Sequence, residues 1–389
     1  MMYNKADADL AKGLGLHMIF IWGRVALIQG IPILFNYNSI LTIIFTLFVL
    51  LYYAYVFLIK NKFIPRMNQG SILVMIFVVI TICYTLAAWP NNVQYFDPIG
   101  NTLVYEVLPF IILGMMTDLD CLYNPMVKAS KILIILCAIS SLGIAVNGHT
   151  TVSTWLTYSM PLSYATLYAV MWLLNDYFKE KKTSSLIFSI MGVLVLVIFG
   201  SRNTLLSVAA IISVNIMFRK EKNKLVKILL ILAAVLVVIF WREVLELING
   251  LAHTLGISSR TANLFLNQDF FADSRTLIHQ SIFEVLNKHP FGVGIAGDVA
   301  QTQEFAHSLY VSILCTYGYF GGAIVMLILG IVLFKAYKKS YGLNRDILLI
   351  YILSVIPRGF TGGDIWSSDV FWWMLGIALL IIYRQKRIA

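Results

Sequence analysis

Apolar runs of a helix's length recur along the whole chain, and few charges interrupt them. An α-helix needs roughly 20 such residues to cross the ~30 Å hydrocarbon core of a bilayer. Inside that core the backbone must satisfy its own hydrogen bonds, which selects helices for continuous apolar runs. The runs fall at 14–34, 39–59, 70–88, 101–116, 132–147, 155–175, 184–200, 203–218, 225–241, 308–334, 347–363 and 368–383. The expected fold is an all-α polytopic membrane protein with about 12 transmembrane helices, forming a single integral membrane domain over 1–389. Composition agrees: 12% of residues are charged, against about 25% in an ordinary globular domain. The N-terminal "MMYNKADADLAKG" is polar, with no small-residue cleavage site behind it, so the first run is expected to be retained as a span. The four cysteines, Cys83, Cys121, Cys137 and Cys315, have no metal-ligand spacing and read as small apolar packers.

Alternate loops are rich in Lys and Arg: Lys5/Lys12, Lys60/Lys62/Arg66, Lys128/Lys131, Lys179/Lys181/Lys182, "RKEKNKLVK" at 219–227, Lys335/Lys338/Lys339/Arg345, and Arg384/Lys386/Arg387. The positive-inside rule places all of them, and both termini, in the cytoplasm. Most of the net charge of +10 is then an orientation signal, which argues against a nucleic-acid partner.

The basic residues left over are Arg24, Arg202, Arg242, Arg260, Arg275, Lys288 and Arg358. All but one are Arg, the side chain suited to bidentate phosphate or carboxylate recognition in poorly hydrated sites. One large extracytoplasmic loop, 242–306, is expected to contain two helices. Residues 242–256 read as amphipathic and interfacial. Residues 273–290 read as a helix capped by Asp273 or Ser274, with an apolar face of Leu277, Ile278, Ile282, Val285 and Leu286. Arg275 then lies in a first turn, beside free N–H groups that suit an anion. The glycines of "HPFGVGIAGD" formally match a dinucleotide fingerprint, but they follow a helix and not a strand, so a flexible loop is the expectation.

The hairpin 184–218 turns at "FGSRNTLL" on the outer side, holding Arg202 rigidly between two helices. His307 enters its span from the same side, so Arg202, Arg275 and His307 are expected to reach one site. Leu314, Gly318 and Gly321 fall on the face of His307 at 100° per residue. Gly318-x-x-x-Gly322 reads as a small-xxx-small contact with a neighbouring helix.

His307-Ser308, nine residues, then Gly318-Tyr319-Phe320-Gly321 resembles the His-[Asn/Ser/Gln]-x9-Gly-x-x-Gly signature of the O-antigen ligase and polymerase superfamily (Wzy and WaaL). "GSRNTLL" is similar to that family's outer Ser-Arg hairpin, with Arg202 and Leu206 in its Arg-x-x-x-Leu form. "DSRTLIHQSIFEVLNKHPFGVGIAG" is similar to its second Arg helix and Pro-x-Gly-x-Gly loop. The resemblance covers roughly 184–334 in order and topology. It implies a GT-C-like, metal-independent glycosyltransferase without a cofactor, in a bacterial cytoplasmic membrane. Its donor would be an undecaprenyl-pyrophosphate-linked glycan at the outer leaflet. It maps Arg202 and Arg275 onto pyrophosphate-binding arginines and His307 onto a catalytic histidine.

Such a transfer places growing negative charge on the leaving pyrophosphate, which preorganised arginines stabilise. A neutral His307 is the expected base, its ordinary pKa lying near 6.5. Cationic neighbours would keep it neutral. Glu304 and Asp298 are the alternative bases. Further substrate contacts are expected from Arg260, Arg358, Ser308, Glu304 and Asp364, and from Trp366 and Asp369; Trp372 and Trp373 read as an interfacial aromatic belt. No outward metal-binding motif is seen. The expected activity is polymerisation of lipid-linked repeat units into O-antigen, capsule or exopolysaccharide, working beside a flippase and a chain-length regulator. A ligase transferring glycan to a lipid core is an alternative; a lipid-linked oligosaccharide flippase is another, of a different class.

Overall fold

The computed structural model describes residues 2–35, 37–60, 66–95, 107–148, 160–218, 275–366 and 368–383, with single positions between 243 and 254. Among them there is no strand. In chain order the α-helices are α1 (Met2–His17), α2 (Gly23–Gly30), α3 (Pro32–Phe35), α4 (Asn38–Ala54), α5 (Gln69–Ala88), α6 (Leu108–Met115), α7 (Tyr123–Gly148), α8 (Met160–Glu180), α9 (Thr183–Phe199), α10 (Arg202–Phe218), α11 (Arg275–Lys288), α12 (Gly297–Thr302), α13 (Leu309–Lys339), α14 (Gly342–Thr361) and α15 (Asp369–Tyr383). The expected span at 225–241 lies outside the described residues, as does most of the expected helix at 242–256.

Among the described residues, 5 helices are long and apolar enough to cross a membrane: Lys5–Gly30, Asn38–Lys60, Gln69–Ala88, Leu119–Ile144 and Leu309–Lys339. This is fewer than the sequence suggests. Thr183–Phe199 and Asp369–Tyr383 are apolar but shorter. Helix α8 carries Ser163, Thr166, Asn175 and Asp176, all buried, which dilute its apolar character. The long helices expose continuous apolar faces, such as Ile324, Leu327, Ile328, Ile331 and Phe334 on α13. Exposed apolar area on that scale marks contact with lipid or protein, not water.

The chain divides into two compact units. One comprises Met1–Leu14, Leu50–Tyr123 and Asp273–Ala389; the other comprises Gly15–Val49 and Asn124–Ala272. In the first unit α15 is the central helix, packed against α6, α13 and α14. It is apolar all round, and every residue from Asp369 to Ile381 is buried, as such a helix must be. Trp372 and Trp373 are therefore core residues and not an aromatic belt. Trp373 stacks on Tyr351 at 5.7 Å, and Trp372 meets Phe110 edge-on at 5.6 Å. In the second unit α8 is central, packed against α9 and α10, with Trp172 fully buried.

Candidate active site

Helix α13 is broken at Gly318, whose backbone lies at φ 73°, ψ −178°. The break withdraws helical donors from the carbonyls that precede it, and the loop after α11 supplies others. The N–H groups of Val293 and Gly294 donate to the carbonyls of Cys315 and Thr316, at 2.8 and 3.2 Å. In return Tyr319 N–H donates to the Pro290 carbonyl at 3.0 Å. Asn92 grips the loop from behind, its Nδ2 donating to the carbonyls of Val293 and Ile295 at 2.8 and 3.0 Å. A Cβ on Gly318 would sit on the Pro290 carbonyl oxygen, and one on Gly292 would sit on the Gly318 nitrogen. The glycines thus serve a close meeting of two backbones. The expected flexible loop is buried from Gly292 to Ile295 and hydrogen-bonded. The expected small-xxx-small contact is replaced by this docking: a Cβ on Gly322 would meet Leu314 and Ile313 of the same helix. A wheel drawn through His307, Leu314, Gly318 and Gly321 fails as well, because the backbone is not helical at His307 or Gly318.

Beyond the loop the chain makes a short helix, α12, and a tight return to α13. Ala296, Gln303 and His307 all hold left-handed backbone, at φ 55°, 60° and 49°. Such conformations cost a non-glycine residue of order 1–3 kcal/mol and collect at functional sites. Asp298 is 6% exposed, and one of its carboxylate oxygens accepts the Ala306 N–H at 2.9 Å. Burial pushes the Asp298 carboxyl above its ordinary range, while backbone N–H groups and the neighbouring His307 pull it down. Asp298 and His307 therefore lie close enough to interact electrostatically. Asp364, in the turn between α14 and α15, joins the same centre. Burial first, and then the charge of Asp298, push it up to about 7, against hydrogen bonds from Ser312 and from the N–H groups of Trp366 and Ile365. The Ser312 hydroxyl donates to Asp364 directly. Two carboxylates this placed share protons more readily than they carry two charges.

Residues 186–340 match the family model described as O-Antigen ligase. That segment of the chain is similar to the O-antigen ligase family. No curated protein and no solved structure matches the chain. The O-antigen ligase segment encloses Arg202, Arg275 and His307; Arg358 and Asp364 follow it.

Within that segment, Ser308 caps α13, its hydroxyl accepting from Val311 N–H and donating to the Gly359 carbonyl at 3.0 Å. The hydroxyl expected to meet substrate is thus engaged inside the protein. Glu304 is exposed, so Asp298 is the carboxylate brought to His307. Trp366 is buried and donates to Thr316 Oγ1 at 3.4 Å, which leaves its face unavailable for stacking on a sugar. Asp369, also buried, opens α15. Arg275 opens α11, whose Ile282 and Leu286 pack on Val293, Ala306, Val311 and Cys315. Ile278 and Val285 join this cluster as expected, but Leu277 is 69% exposed. Arg358 lies on α14, and Arg260 lies outside the described residues. In the other unit Arg202 opens α10. The Ser201 N–H before it donates to Ser163 Oγ at 3.0 Å, and Thr204 Oγ1 donates to the Ser201 carbonyl at 2.7 Å, so the turn is rigid as expected.

Asp364 yields a stability prediction. Its folded pKa is raised, so between about pH 4 and 7 the folded protein holds a proton that the unfolded chain has released. Stability therefore falls as pH rises through that window. Asp364→Asn is neutral throughout and is expected to raise Tm by a few degrees at about pH 8, with the gain vanishing by about pH 4. Thermal melts in detergent at both pH values test this, and a gain independent of pH would refute it.

Proposed function

We propose that this protein is a glycosyltransferase that polymerises lipid-linked oligosaccharide repeat units, drawing on a polyprenyl-pyrophosphate donor at the outer face of the bacterial cytoplasmic membrane. The observation that carries this reading is the O-antigen ligase segment, which encloses Arg202, Arg275 and His307 in order. The topology it requires is GT-C-like, with about 12 spans, cytoplasmic termini and the 242–306 loop outside. The family assignment lends no support to the flippase reading.

In the reaction, an acceptor hydroxyl oxygen bonds to the anomeric carbon while the bond from that carbon to the pyrophosphate oxygen breaks. The hydroxyl proton passes to His307, beside which Asp298 stabilises the imidazolium. Arg202 and Arg275 receive the charge that grows on the leaving polyprenyl pyrophosphate, and no metal is needed for that role. Arg260, Arg358 and Glu304 are assigned to the glycan. An apolar cavity of about 440 Å³, lined by Phe77, Tyr317, Ile328, Ile365, Trp366 and Leu375 among others, includes in its wall the two residues that follow Asp364. Its lining suits the hydrocarbon of such a donor. The partners of this reading are the bilayer, the lipid-linked glycan, a flippase that delivers it and a chain-length regulator.

Purified protein given short lipid-pyrophosphate-linked repeat units in EDTA is expected to lengthen the glycan. Arg202→Ala and Arg275→Ala are each expected to lower that rate by about 10²–10³-fold. Product that forms only when a lipid-core acceptor is added would replace this reading with the ligase. Substrate crossing a vesicle membrane with no new glycosidic bond would overturn both.

A further inference from the structure

Ala306, the residue before His307, is held by hydrogen bonds on both its N–H and its carbonyl. Ala306 is 0% exposed, so neither its N–H nor its carbonyl meets solvent. The N–H donates to Asp298 at 2.9 Å. The carbonyl accepts from His279 Nε2 at 2.8 Å. A carbonyl oxygen has no proton to give, so Nε2 carries the proton and the tautomer of His279 is fixed by its partner. The carbonyl of Ala306 belongs to the same peptide plane as the nitrogen of His307. Whatever orients that plane sets the φ of His307, which is 49°. That conformation is intrinsically disfavoured for a non-glycine residue, so something must hold it.

We propose that His279 is a positioning residue, which ties the helix carrying Arg275 to the backbone turn that aims His307. It rests on the glycosyltransferase reading above. His279 stands one helical turn beyond Arg275 on α11. The apolar cluster of Ile282 and Leu286 against Ala306 already holds α11 near this turn. Apolar packing is non-directional, however, and tolerates a small slide or rotation. A hydrogen bond to one buried carbonyl does not, because losing its donor leaves the acceptor unsatisfied. The His279 bond therefore fixes the register between the helix that begins at Arg275 and the turn that ends at His307. A leaving-group site and a proton acceptor need that register, since misplacement by about 1 Å can cost on the order of 10²-fold in rate.

His279→Leu is expected to lower kcat at least tenfold with KM changed less than threefold. His279→Gln, whose side-chain amide still offers an N–H, is expected to recover most of the loss. Hydrogen exchange of the 300–312 segment should quicken in the Leu variant and slow again in the Gln variant, and this readout needs no substrate. If the two variants have equal kcat, or if the loss tracks the amount of folded protein, the positioning role is wrong. So is it if exchange in 300–312 is the same in both. A wild-type protein that transfers no glycan would instead sink the functional reading, while the exchange result would still judge the latch between α11 and the turn.

Discussion

His307→Ala is expected to reduce glycan transfer by about 10²–10⁴-fold, the usual contribution of a positioned acid or base. The loss arises from two sources that need separating. One is the missing imidazole beside Asp298. The other is the backbone, because alanine holds a φ of 49° less readily than histidine. Asparagine adopts left-handed backbone more readily than alanine, so His307→Asn keeps the turn and removes the base. Equal loss in both variants assigns the effect to the imidazole. Full loss in His307→Ala with near-normal transfer in His307→Asn would mean that the backbone turn carries the effect and that residue 307 takes no proton. The Asp298–Ala306 bond predicts which of these holds: it anchors the turn from the neighbouring residue, independently of the side chain at 307. Both variants should therefore remain folded, and initial rates of lipid-linked glycan consumption at equal protein are the measurement. Normal transfer by both would remove His307 from the site.

The places of several candidate residues were legible because they depend on residue types. Arg275 at a helix start and His307 at a helix mouth followed from capping signals and the onset of an apolar run. The rigid turn before Arg202 followed from two short helices meeting at Gly200 and Ser201. What escaped depends on backbone conformation or on long-range contact. Nothing in the letters announces that Ala296, Gln303 and His307 are left-handed. His279 was legible only as one more polar residue on an amphipathic helix, and its carbonyl partner is 27 residues away in sequence. In the sequence Asp364 and Trp366 read as glycan contacts because they flank an expected outer turn. Their partners, Ser312 and Thr316, make that turn part of the protein's own packing. The aromatic pair Trp372 and Trp373 reads as an interfacial belt for a similar reason: a helix buried on all sides and one facing lipid have the same composition.

Gly318→Ala is expected to destabilise the protein by about 3 kcal/mol or more, among the largest effects a single substitution produces. A helix-packing glycine would predict the reverse, since alanine is also small enough for a small-xxx-small contact and favours helix. Two costs combine here. At φ 73°, ψ −178° the backbone occupies a region essentially reserved for glycine, worth of order 1–3 kcal/mol. The added methyl would also strike the Pro290 carbonyl and the Phe291 backbone, which are main-chain atoms with no rotamer by which to retreat. Relief requires the loop to lift away, and that breaks its exchange of hydrogen bonds with Cys315, Thr316 and Tyr319. The same movement carries off the segment that leads to Asp298, so activity should fall with stability. Gly330 supplies the control on the same helix: it is exposed, and a Cβ there would meet nothing within 4 Å. Gly330→Ala is expected to be neutral or to gain up to about 1 kcal/mol from helix propensity. Melting both variants in one detergent decides the matter, because a Gly318→Ala protein as stable as Gly330→Ala is incompatible with a docked loop at the break.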